Sequence, residues 1–151
     1  NVKHDKLKWS PKMMFNDFKK NKDKYVLSID IADGIGKDYS VINIFKIEPF
    51  SLAKIRTLKK YKDESSFFRL RQVGLFHSND ISIDAFGDLI SALIFDLFGP
   101  DSVSVVLEMN FKGDLILDKL EKHRDFYIEL LLHTKHSQNN DYLSPGLKLK
   151  M

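Results

Sequence analysis

The sequence predicts an α/β domain on a mixed β-sheet, antiparallel at first and parallel later, with helices covering it. Three observations carry that expectation. Two apolar, β-branched segments at 25–31 and 39–47 flank a glycine-containing turn at 33–38, the pattern of an antiparallel hairpin. Phe86, Leu89, Ile90, Leu93, Ile94 and Leu97 recur at the spacing of an amphipathic helix. An apolar strand at 103–109 follows that helix, and a helical crossover is the usual way to lay one strand parallel to an earlier one.

In chain order, Ser10-Pro11 reads as an N-cap followed by proline at the first helical position. The helix it opens would run to Lys20 and carry Met14, Phe15 and Phe18 on one side. With the Lys-rich run that follows, residues 1–24 read as a basic linker with an N-terminal helix, and 25–151 as the main domain. Residues 49–66 are ambiguous: Leu52, Ile55 and Leu58 suit successive helical turns, yet the stretch is short and basic. A third strand is expected at 67–77. Ser82 or Asp84 can cap the long helix and Gly99-Pro100 ends it. A helix at 115–121 and an apolar strand at 126–132 follow, and 133–141 reads as a polar tail. There is no internal repeat.

Composition narrows the function classes. An apolar fraction of 43% over 151 residues builds one core. With no cysteine, disulfides and thiolate zinc sites are excluded, so a metal would need oxygen or imidazole ligands. Carboxylate ligands favour hard ions such as Mg²⁺ or Mn²⁺. The absence of cysteine also fits a reducing cytosol. No run approaches the ~20 apolar residues of a membrane span, so a membrane partner is not expected. The chain begins at Asn1 and stops at Met151 just after Lys148 and Lys150, which reads as a piece of something longer.

The net charge of +3 is unevenly spread. Residues 1–24 hold eight Lys against Asp5, Asp17 and Asp23, and Lys54, Arg56, Lys59, Lys60 and Lys62 form a second basic group. Such clusters neutralise DNA phosphates, or else form a solvated face and a linker.

Asp30 and Glu108 each interrupt an apolar strand near its carboxyl end. Strand side chains alternate, so Val26, Ser28 and Asp30 share a face, and so do Ser104, Val106 and Glu108. If the two strands are parallel neighbours, the carboxylates meet at one end of the sheet and can hold a divalent cation between them. Two metals about 3.5–4 Å apart can clamp the attacking and leaving oxygens of a phosphodiester. Each acid alone also reads as a strand-end hydrogen-bonding group. Asp38 would join the site if the hairpin returned it beside Asp30, or serve the turn, as Asp33 more simply does.

Gly34-Ile35-Gly36-Lys37 fails as a phosphate-binding loop, because Ile31 and Asp38 stand where glycine and Ser or Thr are required. His133 and His136 lie in the polar tail without further ligands. Trp9 reads as a packing anchor.

Residues 25–47, with Asp30 before a glycine turn and Lys37-Asp38-Tyr39-Ser40 entering the next strand, resemble the opening hairpin of large-terminase nuclease domains from tailed bacteriophages. Val105-Val106-Leu107-Glu108-Met109-Asn110 resembles that family's apolar strand ending in Glu and Asn, and Ser144-Pro145-Gly146 its later part. The resemblance covers most of 25–150. It implies an RNase H-like fold and an Mg²⁺- or Mn²⁺-dependent endonuclease, two ions expected, that cuts concatemeric double-stranded DNA. It makes Asp30 and Glu108 the catalytic, metal-holding carboxylates, with Asp38 nearby, and puts a third acid on a later helix outside this sequence. It further implies an N-terminal packaging ATPase domain in the same polypeptide, portal and small terminase partners, and action at the procapsid portal in the cytoplasm of an infected bacterium. Lys54, Arg56, Lys59 and Lys60 are then expected to hold DNA backbone.

Two other readings compete. A sugar-kinase or actin-like ATPase lobe also opens with a strand ending in Asp and a glycine hairpin, but would need a second phosphate loop. A non-catalytic module would only dock DNA or the portal.

Overall fold

The computed structural model describes residues 2–13, 15, 18, 20, 22–32, 36, 38–49, 68–109 and 112–131, together with the backbone of 133–135 and 143–145. Its sheet has five strands: β1 (Leu7–Trp9), β2 (Lys24–Asp30), β3 (Ser40–Pro49), β4 (Phe68–Ser78) and β5 (Val103–Leu107). They lie in the order β1-β4-β3-β2-β5. β2, β3 and β4 form an antiparallel meander, and β5 runs parallel to β2 on its other edge. The expected mixed α/β sheet is therefore present.

Each central strand alternates as a sheet with one covered face requires. Tyr25, Leu27 and Ile29 of β2 are buried, as are Ile42 and Ile44 of β3 and Val103, Val105 and Leu107 of β5. Helix α1 (Ile83–Ser91) covers this face. Ser82 caps it, its hydroxyl accepting from the Ala85 N–H at 3.1 Å. Phe86 stacks on Phe76 of β4, ring centroids 5.8 Å apart.

The apolar stripe that predicts one continuous helix changes winding at Ala92. Residues Ala92–Phe98 form a π-helical turn, in which residues five apart come round to one side. Leu93 and Phe98 are both fully buried as a result. Gly99, at φ 89°, ends the turn in a conformation that suits glycine. A short 3-10 turn, Pro100–Ser102, then delivers the chain into β5. Helix α2 (Gly113–Glu121) packs beside α1: Lys119 Nζ reaches Asp84 at 2.6 Å and Asp88 at 2.7 Å. Those carboxylates raise the pKa of Lys119, and the ammonium lowers that of Asp84.

Three expectations need correction. The N-terminal segment supplies an edge strand, β1 pairing antiparallel with β4, and the described residues from 10 to 20 are turn and coil rather than helix. A ten-residue helix nucleates poorly in isolation, and here the aromatic side chains are drawn separately into the fold. Phe18 is buried against Phe98 at 5.0 Å and Tyr25 at 5.5 Å, and Trp9 meets Phe15 edge-on at 5.1 Å.

The apolar run at 126–132 is mostly not a strand. Ile128–Leu130 is a 3-10 turn, and among the described residues of this run Leu131 bridges Val105 in parallel. Leu130 and Leu131 are both buried while Tyr127 and Ile128 are exposed, a distribution that strict strand alternation does not produce. The Tyr127 hydroxyl donates to the Pro100 carbonyl at 2.8 Å, holding this segment against the entry to β5. Finally, the start of the expected polar tail is a strand, β6 (His133–Lys135), paired antiparallel with β7 (Leu143–Pro145) beyond it.

β4 carries one bulge. The pairing steps from Ile44↔Gly74 to Phe45↔Gln72, leaving Val73 as the extra residue. Gly74 is needed there, because an added Cβ would sit 3.0 Å from both Ile44 Cδ1 and the Trp9 ring. Burial and the nearby Asp23 charge push the Tyr25 hydroxyl up to about 12.

Phe98 joins the strand layer, the π turn and the N-terminal segment. Phe98→Ala is expected to cost about 3–5 kcal/mol of unfolding free energy. Removing only the cap, Ser82→Ala, should cost about 1 kcal/mol. Chemical denaturation of both variants checks the ranking.

Candidate metal centre at the sheet end

The site is set by the parallel ladder between β2 and β5. Its pairs run from Tyr25↔Val103 to Ile29↔Leu107, and the Glu108 N–H donates to the Ile29 carbonyl at 3.1 Å. Asp30 and Glu108 each stand one residue beyond the last pair of that ladder, Ile29↔Leu107. Neighbouring strands are about 4.8 Å apart, and laterally paired side chains project from one face. That face is the one opposite α1, shared with Val26, Ser28, Ser104 and Val106. Asp30 is exposed and Glu108 half-buried.

Local packing fixes both strand ends. After Asp30 the chain turns inward: Ile31 and Ala32 are buried, and the Ala32 N–H donates to the buried Ser40 hydroxyl at 3.0 Å. This bond closes the base of the β2–β3 hairpin and holds Asp30 at its rim. After Glu108 the chain enters α2 tightly. An added Cβ on Gly113 would lie 2.8 Å from the Glu108 carbonyl oxygen, so glycine lets the helix start directly behind the acid.

The donor set suits a hard cation in part. Asp30 forms no ion pair among the described residues, so no Lys or Arg there neutralises it. Mg²⁺ is commonly held through one or two carboxylates, with water and phosphate oxygens completing the shell. Asp30 and Glu108 provide that much for one ion. No group of three or more His, Asp or Glu able to hold a metal occurs among the described residues. A second ion would need donors from outside them.

Asp38 is described and exposed but is not gathered into such a group with the other two acids. The hairpin turn offers a reason: it leans towards β4, the Gly36 N–H donating to the Asn79 carbonyl at 2.6 Å. Lys54, Arg56, Lys59 and Lys60 lie outside the described residues, as do Asp33 and His136. His133 sits in β6, which pairs with β7 in a separate two-stranded sheet.

The sheet adds residues that the sequence did not single out. Val41 pairs with Asp30 on one side and with His77 on the other. His77 is exposed on the same face, and Tyr39 packs edge-on against it at 5.4 Å. His77 belongs to no motif and Tyr39 enters the sequence reading only within the 37–40 run; the three-strand register reveals their place together. Compared with known proteins, the sequence matches no family model and no curated protein.

Mn²⁺ titrated into the isotope-labelled protein should broaden the backbone resonances of residues 29–31 and 107–109 first. Asp30→Asn, which keeps the size of the side chain and removes its charge, should abolish that selective broadening. Equal broadening in the variant would show that this pair of strand ends holds no ion.

Proposed function

We propose that this chain is the RNase H-like nuclease domain of a tailed-phage large terminase, cutting double-stranded DNA with the help of Mg²⁺ or Mn²⁺. The observation that carries the reading is the register-matched pair of acids, Asp30 and Glu108, at the carboxyl ends of parallel neighbouring strands. An antiparallel meander with a parallel strand on its other edge supports the RNase H-like assignment. So does the short parallel contact of Leu131 with Val105.

Phosphodiester hydrolysis needs an activated water and relief of charge on the leaving oxygen, and a bound divalent cation supplies such stabilisation. The residues of this chain then have defined tasks. Asp30, on the exposed rim, and Glu108, half-buried beside it, present anionic oxygen ligands on one face. Ser40 and Gly113 hold the two strand ends, so the acids need little rearrangement to act together. The DNA is expected to approach the open face opposite α1, and the packaging ATPase would lie in the same polypeptide.

The docking-only reading draws on the two-acid donor set among the described residues. The full-length polypeptide containing this chain separates the alternatives. Supplied with Mg²⁺ or Mn²⁺ it should nick and linearise plasmid. Asp30→Asn and Glu108→Gln should each reduce cleavage by roughly 10²–10³ or more, as loss of a strong electrostatic contribution does. A folded Asp30→Asn protein cutting at the wild-type rate would remove Asp30 from the reaction.

Changing Lys54, Arg56, Lys59 and Lys60 together to Ala should weaken DNA binding without sequence preference and flatten its dependence on salt. A salt dependence identical to wild type would assign that basic group to solvation.

A further inference from the structure

The face bearing Asp30 and Glu108 continues sideways to β4 and β1. The row Asp30–Val41–His77 crosses three strands, and the pairing of Lys8 with Leu75 sets Lys8 on the same face, one strand further. There Lys6, Lys8, Tyr39, His77 and Asn79 help line an open cavity of about 290 Å³. It lies at the same end of the sheet as the two acids, because β4 ends and β3 begins there.

The charges in this cavity are not equivalent. Lys6 Nζ is bound to the Asp80 carboxylate and lies 3.2 Å from the Ser78 hydroxyl, and this pairing holds the Asp80 carboxyl below its ordinary range. Asp5, also on the rim, lies 2.9 Å from the His4 ring. Lys8 is exposed and forms no ion pair among the described residues. It is the cation open to an outside anion. Tyr39 is 51% exposed, a large aromatic surface beside that charge.

We propose that this cavity is a positioning subsite for one strand of a DNA duplex, Lys8 taking a backbone phosphate and Tyr39 packing against the neighbouring sugar. His77 and Asn79 add side-chain N–H donors. The inference rests on the nuclease reading for its substrate class and adds a place where that substrate is held. Spacing favours a polymer over a lone anion. His77 lies two strand spacings from Asp30, about 10 Å, and Lys8 three spacings across and two residues along, about 16 Å. Phosphates on one DNA strand advance about 3.4 Å along the axis. The subsite would therefore engage a nucleotide about three to five steps from a phosphodiester at the acids.

The test is binding of a labelled duplex of mixed sequence to the full-length polypeptide in EDTA, over a range of salt, where affinity is read apart from cleavage. Lys8→Ala should lower the slope of log affinity against log salt by about 0.9 and weaken binding evenly across sequences. Lys8→Arg should retain both. Tyr39→Ala should weaken binding several-fold and leave the slope unchanged, since it removes contact with the backbone sugar and no charge. Wild-type affinity and slope in both Lys8→Ala and Tyr39→Ala would overturn the subsite. So would wild-type protein that binds inorganic phosphate at His77 but no DNA. If these variants lose binding as expected while wild type never cuts with Mg²⁺ or Mn²⁺, the subsite stands and the nuclease reading falls. If wild type cuts and the variants bind and cut equally well, the nuclease reading stands and the subsite falls.

Discussion

β2 is hydrogen-bonded along both edges, antiparallel to β3 and parallel to β5, and the other elements follow from those two pairings. The antiparallel side needs only a hairpin. The parallel side obliges the chain to cross the sheet and return in the same direction, and residues 83–102 do this through α1, the π turn and the Gly99 stop. A strand slipped by one residue exchanges its faces. Such a slip in β5 would carry Val103, Val105 and Leu107 out of the core and turn Glu108 to the helix side. The burial of those three aliphatic residues therefore fixes where the acid points. Core packing and site geometry are here one constraint.

The same face is then anchored from the side by aromatic packing. Phe98 gathers Tyr25 at 4.6 Å, Phe18 at 5.0 Å and Trp9 at 6.3 Å, tying β2, the π turn and the N-terminal segment together. Ser102 adds a buried hydroxyl donating to the Phe18 carbonyl at 3.0 Å. Held in this way, the N-terminal segment can add β1 to the edge of β4 although it supplies only three residues. Gly74 makes room for Trp9 at the β4 bulge. The consequence for function is that Lys8 and His77 are placed on the acid-bearing face by contacts on the opposite one.

Electrostatics divides that face. At the β2–β5 edge Asp30 and Glu108 share one face, and their anionic oxygens would suit a hard divalent cation. At the β1–β4 end Lys6 is bound to Asp80, while Lys8 is turned to solvent. A polyanion lying across the sheet would meet a cation at one end and, given a divalent ion, a neutralised acid pair at the other. The face between them is small and mixed in character, with Ser28, Asn43 and Val41 half-buried there.

Local pattern marked the strands β2, β3 and β5, the glycine stop of the helical stretch and the candidacy of Asp30 and Glu108, while it left β4 mixed and the cap open between Ser82 and Asp84. Those features depend on local alternation and turn chemistry, which the residues carry themselves. The sequence left β1 unseen because three residues are too few to show a period. It misjudged 126–132, where buried neighbours Leu130 and Leu131 resemble a strand until a tertiary contact with Pro100 holds them in a turn. The sequence left Asp38 either to join Asp30 or to serve the turn, and the Gly36 N–H bond to Asn79 is a tertiary contact that no local pattern records. Only the tertiary structure decided which acids share a rim and which distant residues, Lys8, Tyr39 and His77, share their face. The reason is physical: lateral register between strands far apart in the chain is fixed by how a whole core fills, and no local pattern records it.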